Sequence, residues 1–431
     1  MNSQPEIEFL LRLTDFGIKL GLEKTFHLLD KFGNPHTKYQ SILIAGTNGK
    51  GSVSKSLATI LNEAGYKTGL YTSPHLVDIK ERISIGGENI QEEVFINKIR
   101  ELQGILKNEP EHLTPTFFEA MTVVAFSLFS DFKIDILVCE VGLGGRFDAT
   151  NVLPSFLEII TKIGFDHIKF LGKTYPEIAN EKSGIIKEGS IVVTSSQHKE
   201  VLDVITDKAR EKKSKLYVHL KDFKSIKKSV TQDGQSFNFY GSKKYTNIFT
   251  PLLGKHQIEN MSLVLQAVSL MQNKGFPMSN ESIYGGLRKV KWPCRVQVLK
   301  KEPLLILDGA HNLDGMKTLL NSLKNIFPKE KWSFLIGILK DKEWQKMLQA
   351  LQRFKNIETI VFTKTETDRA AEPQMLASYI KREDIRIIVM PDYQKAYRYT
   401  EKHTGNWCIC GSLYLCGNIL PLTEKKPLYT K

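Results

Sequence analysis

Cysteine is scarce and scattered. The 431-residue chain holds five, at 139, 294, 408, 410 and 416, with no Cys-x-x-Cys pair. An odd number without that spacing argues against a disulfide framework and against a structural zinc site, and it fits a reducing cytoplasm. Long apolar runs are missing too: none approaches the roughly 20 residues that cross a bilayer, so no membrane association is expected. The opening MNSQPEIEFLLRL lacks a basic stretch, an apolar core and a small-residue cleavage site, so no signal peptide is expected. Repeats and low-complexity tracts are absent. Charge is not lacking: 60 Lys and Arg against 47 Asp and Glu leave a net +13. The basic residues are spread along the chain, and the densest patches, 210–215 and 221–228, read as solvated faces. A nucleic-acid partner is therefore not expected, while anionic small molecules such as nucleotides and polycarboxylates suit the positive field.

What is present reads as a soluble globular protein, 41% apolar and 25% charged. The length exceeds one ordinary core and points to two domains. The most telling stretch is 41–52, SILIAGTNGKGS. A buried strand, 42–45, runs into Gly46-Thr47-Asn48-Gly49-Lys50-Gly51-Ser52, and a helical pattern follows over 53–64. Strand, glycine-rich loop, lysine, hydroxyl and helix are what a nucleoside triphosphate needs. Glycines let backbone N–H groups approach phosphate oxygens. The lysine adds charge at the outer phosphates, and a hydroxyl can help hold Mg²⁺. The spacing, Gly-x-x-Gly-Lys, is shorter than the commonest phosphate loop.

Strand-like runs at 42–45, 69–71, 134–140, 157–163, 190–194, 304–308, 332–338, 357–362 and 385–390 alternate with helical patterns at 117–129, 201–212, 257–274, 315–327, 344–352 and 373–381. This alternation predicts an α/β fold with mainly parallel sheets covered by helices. Over 216–239 the pattern changes to short strands with a turn at 232–234, read as a small antiparallel extension of the first domain. The helical pattern ends near Lys291-Trp292-Pro293-Cys294-Arg295, which places the domains at 1–291 and 296–431. Residues 424–431 read as a frayed tail.

Further candidates cluster at strand ends. The strand 134–140 ends in Glu140, an acid where open α/β sheets bind ligands and where Mg²⁺ could be held. Gly142-Leu143-Gly144-Gly145-Arg146 follows. A second strand leads to Asp166-His167, which could hold a metal or a carboxylate, or serve as a plain loop histidine. Lys182, in a helical pattern, reads locally as a surface lysine. In the second half, Arg295 and a strand ending in Asp308-Gly309-Ala310-His311-Asn312 suit a nucleotide, and Gly254–Asn260 could bring an amide to its base or ribose.

Together these segments resemble the folylpolyglutamate synthase and dihydrofolate synthase family of the Mur ligase superfamily. The resemblance runs through GTNGKGS at 46–52, YTSPHL at 71–76, ERI at 81–83, TFFEAMT at 116–122, EVGLGGRFDATNV at 140–152, GFDHIKFLG at 164–172, IANEKSGIIK at 178–187, GKHQIEN at 254–260, WPCRVQ at 292–297, DGAHN at 308–312 and GSLY at 411–414. It implies an N-terminal Mur-ligase-type ATPase domain, a C-terminal Rossmann-like domain and a monomeric cytoplasmic ligase. Such an enzyme uses ATP to convert a pteroate or folate carboxylate into an acyl phosphate, which the amine of L-glutamate attacks. The acceptors would be dihydropteroate, tetrahydrofolate or both.

By motif, Asn48, Gly49, Lys50, Gly51 and Ser52 would cradle the phosphates. Asn260, Arg295, Asp308 and His311 would contact ATP. Ser73, Glu140, His167 and Lys182 would serve two Mg²⁺ ions, Lys182 as a carbamate, so that Lys50, Glu140, His167 and Lys182 form the catalytic set. A carbamate replaces the surface reading of Lys182 and requires an unprotonated, desolvated amine. The pterin side would meet Thr116, Phe117, Phe118, Glu119, Phe147, Asp148 and Ala149, although both Phe117 and Phe118 also suit plain helix core. Three departures stand out. Cys294 replaces the usual glycine, with a modest backbone adjustment expected, Lys162 replaces asparagine, and Ile168 replaces threonine. Two other readings are a Mur-type ligase for cell-wall precursors and a nucleotide-binding protein without ligase activity. The 116–119 segment, DATN at 148–151 and the short N-terminal region disfavour the first. Retention of Lys50, Glu140, His167 and Lys182 disfavours the second.

Overall fold

The computed structural model describes residues 4–17 and 21–424; the expected tail at 425–431 lies outside them. The chain divides into two compact units. One comprises Met1–Ser225, Phe239–Thr246 and Glu259–Lys289; the other comprises Ile226–Asn238, Asn247–Ile258 and Val290–Lys431.

Eight strands form the first sheet: β1 (Gln40–Ala45), β2 (Thr68–Tyr71), β3 (Ile83–Ile85), β4 (Glu88–Asn89), β5 (Ile136–Glu140), β6 (Leu157–Ile160), β7 (Ile191–Thr194) and β8 (Lys215–Val218). Their order is β4-β3-β2-β5-β1-β6-β7-β8. From β2 to β8 the pairings are parallel, while β3 and β4 add an antiparallel edge. Central strands are apolar on both faces, as parallel strands between helices must be: every residue of β5 is buried. The helix Lys50–Glu63 buries Val53, Leu57, Ile60 and Leu61, spaced for one face. The helix Phe117–Asp131 is almost wholly core.

Consecutive strands β9 (Lys224–Thr231), β10 (Gly234–Tyr240) and β11 (Lys244–Thr250) form a three-stranded sheet. Their two- and three-residue connections allow only antiparallel pairing. Two expectations for this region are corrected. Residues 215–218 are not part of the extension; β8 pairs in parallel with β7 as the edge of the first sheet. Nor does the extension belong wholly to the first unit, since 226–238 clusters with the second, where Val230 packs on that unit's core.

The third sheet has β12 (Gln297–Lys301), β13 (Leu304–Leu307), β14 (Trp332–Ile336), β15 (Ile357–Lys364), β16 (Arg386–Asp392) and β17 (Asn406–Cys410), in the order β12-β13-β17-β14-β15-β16. Only β12 is antiparallel. Its core gathers Ile306, Phe334, Trp332 and Phe362. The expected strands and helices are present with shifted ends. The run 157–163, for example, stops pairing at Ile160, because the Lys162 carbonyl turns to accept the amides of Thr47 and Asn48. All five cysteines are free and buried. Among the described residues no helix is long and apolar enough to cross a membrane.

Candidate active site

The first unit builds its site where β1 ends. β1 lies between β5 and β6, pairing Ile44 with Glu140 and with Ile159. The chain leaves β1 through Gly46, at φ +144°, where a Cβ would lie 1.9 Å from Thr161 Oγ1. Gly49, at φ +97°, opens the helix Lys50–Glu63, and a Cβ there would come within 2.6 Å of Asn260 Oδ1. Both positions therefore require glycine. The amides of Thr47 and Asn48 donate to Lys162 O at 3.0 and 3.4 Å. The Thr47 hydroxyl donates to Gly164 O at 2.9 Å and accepts from its amide at 3.0 Å. The loop is thus held by β6's exit, and the first-turn amides, with Gly51 and the buried Ser52, sit where an anion is favoured.

Two lysines converge on this loop. Lys50 Nζ donates to Gly46 O at 3.3 Å and Thr47 O at 3.5 Å, and stands 3.9 Å from Glu140 Oε1. Lys182 Nζ donates to the same Gly46 O at 2.9 Å. Lys182 is only 5% exposed, which removes the surface reading. Burial, followed by the charge of Lys50, lowers its amine to about pKa 7, against the pull of Asp166 and Asp148. Glu140, buried at the end of β5, accepts the Ser73 amide at 3.3 Å.

His167 is exposed at φ +51° and opens the short helix Ile168–Leu171, with Nε2 3.9 Å from Asp166 Oδ1. Among the described residues no three His, Cys, Asp or Glu side chains converge as a metal group. Ser73 and Glu140 meet through the backbone amide of Ser73, and His167 stands beside Asp166. The departure at 162 leaves the loop intact: the Lys162 backbone supports it while Nζ reaches away to Ser196 O at 2.5 Å. Ile168 remains partly exposed.

The expected pterin residues divide in two. Thr116 and Glu119 form a capping box for the helix Phe117–Asp131. The Glu119 carboxylate accepts from the Thr116 amide and hydroxyl at 2.7 and 2.9 Å. Asp148 is likewise turned inward, accepting the amides of Leu143 and Thr150 at 2.7 and 3.0 Å and the Thr150 hydroxyl at 2.6 Å. Burial raises its carboxyl, and hydrogen bonds from Leu143, Thr150 and Gly142 oppose that rise. Ala149 is buried beside it. The rings of Phe117, Phe118 and Phe147 are half-buried. Phe118 lies so close to Gly142 that a Cβ would meet its ring at 2.4 Å. Phe117 lies 5.1 Å beneath the buried Arg82 guanidinium, whose Nε donates to His75 Nδ1 at 2.9 Å. Sequence reasoning assigned no role to Arg82 or His75, although both stand in quoted motifs.

In the second unit, Asp308 ends β13 in the same fashion. Its carboxylate accepts the amides of Val296 and Ala310 at 2.8 and 2.9 Å. Burial raises it, and the Arg295 cation pulls it down. Arg295 donates to Cys294 O at 2.8 Å, as does the Gly309 amide. Cys294 and Val296 hold φ of +60° and +47° on either side of Arg295, a conformation that costs a branched residue most. His311 Nδ1 lies 3.0 Å from Gly309 O, and Asn312 caps the helix Leu313–Ile326.

Known proteins match both units. Residues 44–268 match the Mur ligase middle domain, and 294–410 match the Mur ligase, glutamate ligase domain. A dihydrofolate synthase/folylpolyglutamate synthase from Bacillus subtilis is 35% identical, covering 94% of this chain and 95% of that protein. A dihydrofolate synthetase from Saccharomyces cerevisiae is 31% identical, covering 94% and 97%. Among solved structures, Thermotoga maritima folylpolyglutamate synthase has a TM-score of 0.86 at 35% identity, over 98% of each chain. The Mycobacterium tuberculosis folylpolyglutamate synthase complexed with ADP and AMPPCP has a TM-score of 0.89 at 28% identity, covering 98% of this chain and all of that one.

Proposed function

The chain belongs to the dihydrofolate synthase/folylpolyglutamate synthase family of Mur ligases, and from that membership we propose an ATP-dependent ligase that joins L-glutamate to dihydropteroate and to tetrahydrofolates. The observation that carries the reading is the meeting of Lys50 and Lys182 on one carbonyl of a glycine loop, with Glu140 beside them. A carboxylate resists attack by an amine because oxide is a poor leaving group. Transfer of the γ-phosphoryl group to it gives an acyl phosphate; glutamate's amine then displaces phosphate, forming the amide. Lys50 stabilises charge on the transferring phosphoryl group.

The residues fit Mg²⁺. One buried carboxylate, Glu140, and Ser73 at the loop suit an ion that keeps waters and takes most of its ligands from phosphates. When bound, Mg²⁺ neutralises developing phosphate charge. Two ions, with His167 and Lys182 serving them, complete the reading. Lys182 has the chemistry a carbamate requires: its buried neutral amine adds to CO₂ and releases a proton. The product is an anion, which turns the repulsion from Lys50 into attraction. Phe117, Phe118 and Phe147 offer the flat faces for the pterin, while Thr116, Glu119, Asp148 and Ala149 hold the walls behind them. Arg295, Asp308, His311 and Asn260 receive ATP. The free, buried cysteines suit a reducing cytoplasm, and the reading takes the enzyme as a monomer.

The test is phosphate release with MgATP and L-glutamate, comparing 7,8-dihydropteroate with tetrahydrofolate. Turnover with both is expected. Turnover with one alone narrows the enzyme to that synthase, and no acceptor-dependent release from folded protein overturns the assignment.

A further inference from the structure

Lys182 sits on the last turn of the helix Tyr175–Ser183, whose final carbonyls have no partner within the helix. They are met by the glycine-rich segment after β5. The Arg146 amide donates to Glu181 O at 2.7 Å. Gly145 and Gly184 allow this approach: a Cβ on Gly145 would stand 2.7 and 2.8 Å from the carbonyls of Glu181 and Lys182, and one on Gly184 would stand 2.5 Å from Arg146 Cβ. Asn151 closes the ring. Its amide nitrogen donates to Arg146 O at 3.0 Å and to Gly184 O at 3.1 Å. Lys187 Nζ in turn donates to Asn151 O at 2.6 Å and Oδ1 at 2.8 Å, which orients the amide. Asn151 is only 8% exposed, so its donors face protein carbonyls rather than water.

We propose that Asn151 and Lys187 are a positioning pair that clamps the two carbonyls flanking this helix end and thereby sets where Lys182 delivers its amine. The chemical readout rests on the carbamate reading of Lys182. An amine 2.9 Å from Gly46 O has little room to move, so a shift of the helix end carries it out of that position. Asn151→Asp is nearly isosteric, keeps the oxygen that Lys187 uses and replaces both amide donors. Lys187→Met removes the orienting ammonium, together with its attraction for the buried Glu158.

The experiment equilibrates full-length protein with ¹³C-bicarbonate and follows by NMR the carbamate resonance that Lys182→Met abolishes. Both variants are expected to lower carbamate occupancy roughly tenfold or more, as loss of an orienting partner does at metal sites, with ADP binding and cooperative unfolding retained. Occupancy equal to wild type in both overturns the proposal. If Asn151→Asp does not fold, Lys187→Met decides. If the wild type shows no carbamate resonance, that reading of Lys182 falls separately and the pair is judged by kinetics. A drop in kcat of roughly tenfold or more at unchanged KM for ATP supports positioning, and an unchanged kcat overturns it.

Discussion

Two strand ends, one in each unit, differ in which residues take the left-handed backbone beside their charges. After β1, glycines at 46 and 49 take the positive φ angles, and the charges of Lys50, Lys182 and Glu140 stay close together. Around β13 the charges are bonded to backbone as well: Asp308 accepts two amides and Arg295 donates to a carbonyl. Here non-glycine residues, Cys294 and Val296, carry the positive φ angles. A loop that must cradle phosphates needs bare backbone and charges placed for the reaction.

The largest test of this contrast is Lys50→Ala. Turnover should fall by roughly a thousandfold or more, since a point charge at the transferring phosphoryl group is lost, while the circular dichroism and unfolding midpoint stay near wild type. Substantial retained activity would break the distinction between the two loops. Next comes Lys182→Ala, expected to lose activity and to recover part of it with small carboxylates. The wild type should carry a related pH signature. Only the neutral amine takes up CO₂, so with the amine at about pKa 7, bicarbonate activation should strengthen as pH rises through 7 and fade below it. An activation profile that is flat with pH would remove the carbamate. The smallest effect is expected from Cys294→Gly. Relief of the left-handed backbone, about 1 kcal/mol, is offset by lost burial of a small side chain, about 1 kcal/mol. The unfolding midpoint in urea and the KM for ATP should barely move. A loss above about 2 kcal/mol would show that thiol packing, rather than backbone conformation, decides this position.

Much of the site was legible because its parts are local. Gly46–Ser52 declares itself through strand, glycines and lysine in succession, and Glu140 through its place at the end of an apolar run. Other residues have partners that a motif does not display. The carboxylates of Glu119 and Asp148 cap and brace their own loops, through bonds that follow from folding and not from the motif. Residues 216–218 read as part of a hairpin region because so short a run cannot reveal which sheet it will join. Asn151 and Lys187 stood in quoted motifs, but their bonds to the end of a separate helix follow from packing.

The sequence by itself determined the family, the alternation of strands and helices, and the glycine-rich loop after β1, because these rest on neighbouring residues and on steric demands such as the glycines at 46 and 49. Only the tertiary structure decided that Lys182 is buried, shares Gly46 O with Lys50 and holds its amine near neutrality. Those properties arise from desolvation and from charges brought together from residues 50, 148, 166 and 182, and no local stretch of chain contains them.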